Sequence, residues 1–61
     1  MAREELIRRK GEVQAEIARL RRQAAALRSR GDVRRAAELE HQLDAAMAEE
    51  ARLRQLIDRS R

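Results

Sequence analysis

Sixty-one residues carry fifteen Lys and Arg against eleven Asp and Glu, a formal +4, and suffice for one small domain. With no Cys, Pro or aromatic residue and only two Gly, a disulfide framework, a thiolate metal site and a turn-rich β fold are all excluded. The apolar 43% of the chain includes twelve alanines; no run approaches the ~20 apolar residues of a membrane span and no signal-peptide core is visible, so a cytoplasmic protein is expected.

Strong helix formers (Ala, Leu, Arg, Glu and Gln) fill almost the whole chain. A first helix is predicted over about residues 2–29. Gly11 lies inside it without turn residues around it, at a cost of about 1 kcal/mol relative to Ala. The one punctuated stretch is Ser29-Arg30-Gly31-Asp32. Gly31 suits the left-handed residue that closes a helix and Asp32 suits the N-cap of the next, which puts a turn at 30–32. A second helix is predicted over about 33–59.

Periodicity leads to the same place. In the first helix Leu6, Val13, Leu20 and Leu27 occupy d positions, and Lys10, Ile17 and Ala24 occupy a positions. In the second, a is Ala36, Leu43, Glu50 and Ile57, and d is Leu39, Ala46, Leu53 and Ser60. Folded at the turn, facing residues have numbers that sum to 63, as in Leu27 with Ala36, Ala24 with Leu39, Leu20 with Leu43 and Leu6 with Ile57. The centre of that register falls between Gly31 and Asp32, where the turn chemistry also lies. The expected fold is therefore all-α, a coiled-coil-like antiparallel αα-hairpin.

A lone hairpin has a thin core, and chains of this size usually need a disulfide, a metal or self-association. The second apolar surface is the flank of e and b positions: Ile7, Gly11, Gln14, Ala18 and Ala25 from the first helix, and Val33, Ala37, Met47 and Ala51 from the second. This flank is expected to dock a second copy or a partner helix, with dimerisation into a four-helix bundle as the favoured outcome. The opposite flank reads as an ion lattice, with Arg9, Glu12, Glu16 and Arg19 against Glu38, Glu49 and Arg52. Within the seam, Lys10 and Glu50 are expected either to pair and fix the register or to extend their aliphatic stems toward solvent.

No constellation for catalysis is found. His41 is the only histidine and falls on an outward f position near Glu38 and Asp44, short of a metal site. Gly11 and Gly31 are too far apart to cradle a phosphate. Neither an enzyme nor a cofactor is expected. Charge is unevenly spread: residues 19–35 hold seven Arg and one acid, Asp32, whereas residues 38–50 hold five acids and no Lys or Arg. Arg28, Arg30, Arg34 and Arg35 form a basic cap at the turn, a possible contact for phosphate or an acidic protein, with Arg21 expected to face Glu40. A GC-rich coding sequence would also enrich Ala and Arg. No aromatic is present to stack on single-stranded bases.

The stretch from Gly31 to Leu43 resembles the second helix of the UVR motif through Asp32, Val33, Ala36, Ala37, Leu39 and Leu43, with Leu20 matching a first-helix Leu. That motif, a helical hairpin of excision-repair subunits and Clp-type chaperones and adaptors, implies protein–protein contact. The family usually has an aromatic where Val33 stands and an Arg-Asp pair where Glu40-His41 stands. In size and architecture alone, the chain is also similar to the Rop type of plasmid RNA-binding protein, whose hairpins dimerise into four-helix bundles. The reading overall is a self-associating interaction module or small adaptor, with a dimeric binder of structured RNA or DNA as the alternative.

Overall fold

Uninterrupted runs of helix-favouring residues on either side of a single glycine-containing turn produce two long helices. The computed structural model describes residues 2–60. In it α1 (Arg3–Ser29) and α2 (Val33–Arg59) run antiparallel along a rod of 46 × 14 × 13 Å. Each helix has 27 residues, about 40 Å at 1.5 Å per residue.

The turn between them is built by local hydrogen bonds. Gly31 adopts φ +81°, the left-handed conformation that a side chain disfavours. The Gly31 amide donates to the Arg28 carbonyl at 3.0 Å and the Asp32 amide donates to the Leu27 carbonyl at 2.8 Å, the two bonds of a Schellman closure. Asp32 then starts α2, its Oδ1 accepting from the Arg35 amide at 3.2 Å. One residue therefore terminates the first helix through its N–H and caps the second through its carboxylate. The far ends are simpler. Ala2 precedes α1 in extended conformation with no side-chain cap, and Glu4 and Glu5 complement the positive helix terminus instead.

Every a and d position from Leu6 to Ile57 is buried or half-buried, whereas Ser60 at the end of the pattern is exposed. The layers pack by size. Near the turn Ala24 and Ala36 are buried while Leu39 and Leu27, opposite them, are half-buried. Each Leu lies over its small partner, and its outer side stays open. Away from the turn the core is larger: Leu6, Val13, Ile17 and Leu53 form one cluster, with Leu43, Ala46 and Ile57 packed against it. Most of the apolar burial therefore lies in the half of the rod opposite the turn.

The two glycines are expected to respond in opposite directions to alanine. A Cβ at Gly11 meets nothing within 4 Å, so Gly11→Ala raises stability by about 1 kcal/mol through helix propensity alone. A Cβ at Gly31 also finds open space, but the positive φ makes Gly31→Ala cost roughly 1–2 kcal/mol. Urea titration followed by circular dichroism, with an unchanged m-value, checks both signs.

Candidate interaction surfaces

The e and b flank is the more apolar side of the rod. Ile7 is 47% exposed, Met47 43% and Val33 68%, and Gln14, Ala18, Ala25, Ala37 and Ala51 are exposed between them. Not all of these residues converge. Gln14, Ala18, Met47 and Ala51 share a shallow hollow bordered by Arg21 and Arg54. It is continued toward the chain termini by a second hollow lined by Ile7, Lys10, Gly11 and Ile57. Ala25, Val33 and Ala37 lie apart from both hollows, toward the turn.

Glu50, an acid at a seam position, has only 16% of its side chain exposed. Its Oε1 accepts from Arg54 Nη2 at 2.6 Å and its Oε2 from Gln14 Nε2 at 3.2 Å. The sequence reading offered Lys10 as its partner; in the structure Arg54 and Gln14 take the carboxylate instead. The reason is reach. Arg54 is one helical turn along the same helix and Gln14 sits at the flanking e position of α1, whereas Lys10 lies a layer closer to the termini. Lys10 is half-buried and makes no ion pair among the described residues.

At the turn end, the arginines divide into two kinds. Arg28 is hydrogen-bonded and ion-paired with Glu40 across the helices, and this bond, reinforced by the carboxylate's charge, raises the guanidinium pKa. The sequence reading placed Arg21 opposite Glu40; in the structure Arg28, seven residues nearer the turn on the same flank, reaches along the rod and takes that carboxylate instead. Arg35 is drawn to Asp32, with Nε 3.6 Å from Oδ2. Arg30 and Arg34 make no ion pair among the described residues, and Arg34 stands in the first turn of α2, against the positive end of the helix dipole.

The opposite flank carries Arg9 paired with Glu49 across the seam at 2.9 Å and Arg19 with Glu16 along α1 at 3.0 Å. It is not wholly ionic. Leu56 is exposed there and shares an open hollow with Leu6, Leu53, Arg8 and Arg52. The heptad assignment put Leu56 at a g position; its apolar character alone could have marked it. His41 lies exposed in a depression with Ala37, Glu40 and Asp44, and no group of three or more residues able to hold a metal ion occurs among the described residues. No described helix is long and apolar enough to cross a membrane.

No protein-family model, curated protein or solved structure matches the chain. The surfaces themselves therefore carry the functional argument.

The partners of Glu50 make a quantitative expectation. A double-mutant cycle on Glu50 and Arg54 should yield a coupling of about 0.3–0.5 kcal/mol, the usual size for an i, i+4 pair, and the same cycle on Glu50 and Lys10 should yield none. Denaturation midpoints of the alanine variants check this.

Proposed function

We propose that this chain is a non-enzymatic protein–protein interaction module that self-associates through a helix face. The observation that carries this reading is the exposure of Ile7, Met47 and Val33 on one flank of a hairpin. Among the described residues only Leu6, Val13, Ile17, Leu20, Ala24, Ala36 and Leu53 are buried. A fold with so little core gains stability by covering a second apolar face. Ala18 and Ala37 lie on the docking flank away from the seam, so Ala18→Arg or Ala37→Arg should disrupt assembly and sharply lower the melting temperature. Sedimentation equilibrium across the micromolar range measures it; a parent chain that stays monomeric at high micromolar concentration sinks the reading.

A second reading is favoured by Arg30 and Arg34, which make no ion pair among the described residues. Under it, a dimer grips structured RNA or DNA through Arg28, Arg30, Arg34 and Arg35. Changing all four to Gln should leave helicity nearly intact, because exposed substitutions shift stability by about 0.5 kcal/mol or less. Binding to a duplex should fall and its salt dependence flatten. Within that set, Arg30 and Arg34 should account for more of the loss than Arg28, which Glu40 already neutralises. Equal duplex affinity of parent and variant at low salt assigns the cap to solvation.

A further inference from the structure

We infer that the flank carrying Ile7, Ala18 and Met47 is covered by a second copy of this chain lying with its turn at the same end. The inference rests on the self-association proposed above and adds its geometry. Two arrangements of stacked hairpins have two-fold symmetry. With the axis along the rod, α1 of each copy lies on α2 of the other and both turns share one end. With the axis across the rod, α1 lies on α1, α2 on α2, and the turns point apart.

Charge separates the two. Arg21 and Asp44 both stand on this flank, on different helices and about half a turn apart along the rod, and neither makes an ion pair among the described residues. Glu40, the other acid near that level, is already held by Arg28. An axis along the rod lays Arg21 of one copy over Asp44 of the other, and does so twice, once on each side of the apolar centre; the like charges it brings together, Glu4 and Asp58, stand at the exposed far ends of the helices, where water screens them. An axis across the rod sets Arg21 over Gln14 and Asp44 over Met47, leaving both charges without partners as water is removed, which is costly. Size does not separate them: Gly11 meets Ala51 and Ala25 meets Ala37 with the tips together, Gly11 meets Ala25 with the tips opposed, and the helices can approach closely in either.

The basic cap does not oppose this arrangement. Arg30 and Arg35 fall at g positions and Arg34 at f, off the contact flank, and Arg28 is neutralised by Glu40. The area is adequate as well. A face of 46 by 14 Å covers roughly 600 Å² in projection, close to the ~800 Å² per partner of a standard interface.

The chain has no cysteine, so Ser29→Cys, at an exposed position beside the turn, accepts a single nitroxide label for pulsed dipolar spectroscopy. Tips-together stacking brings the two labels to on the order of 20 Å, because packed helices lie 8–10 Å apart. Opposed stacking separates them by about 40 Å, the length of a helix, and that distance overturns the arrangement while leaving self-association intact. A monomeric mass with no dipolar coupling overturns self-association itself. In parallel, Arg21→Glu and Asp44→Arg should each weaken the dimer about tenfold, and the double variant R21E/D44R should recover most of that loss. A double variant as weak as either single change overturns the cross-pairing.

Discussion

The structure depends on the geometry of three residues at the turn. Arg30 closes α1, Gly31 takes the left-handed conformation, and Asp32 bonds backward through its amide and forward through its carboxylate. These bonds set the angle and phase at which the second helix leaves the first, and so decide which residues meet across the seam. A shift of one residue there would turn Leu39, Leu43 and Leu53 out of the seam and bring charged neighbours in. The alternation of Leu with Ala then holds the choice, since a Leu displaced from its Ala would meet another large residue.

Ionic side chains make up 43% of the chain, and the structure gives them unequal tasks. Arg9–Glu49 and Arg28–Glu40 cross from one helix to the other on opposite flanks, one toward the termini and one toward the turn. Each is exposed and adds little free energy alone. Their placement nonetheless matches a single register and would be lost together if α2 slid along α1. Asp32 and Glu50 have other tasks: Asp32 accepts from the Arg35 amide at the start of α2, and Glu50 accepts from Arg54 and Gln14 beside the seam, where water reaches it less. Arg21, Arg30, Arg34 and Asp44 are among the charged side chains that make no ion pair within the described residues. They stand where a second molecule could supply the counter-charge.

Much of this architecture was readable from residue order. The heptad spacing of Leu6, Val13, Leu20 and Leu27, and the Gly31-Asp32 punctuation, are both short-range signals, and each independently gives the hairpin. The exposed flank of Ile7, Ala18 and Met47 followed from the same helical phase. Cross-helix charge partners were harder to read. Seam residues meet at one level, but flanking e and g side chains lean along the rod, so Glu40 meets Arg28 rather than Arg21. Glu50 illustrates a second difficulty. A flexible arginine one turn away competes with a lysine across the seam, and the outcome depends on side-chain reach. Leu56 escaped notice because its position in the repeat suggested a charged flank.

The uneven distribution of the core has a kinetic consequence. Leu6, Val13, Leu53 and Ile57 join residues from opposite ends of the chain, so the largest apolar contacts close the longest loops. The turn, with its short-range bonds and small Ala layers, can form early but gains little by itself. A folding chain must therefore order most of the narrow Ala section before the cluster near its termini compensates for the lost entropy. Partial zippers that stop midway are poorly rewarded, which makes the hairpin close as a unit.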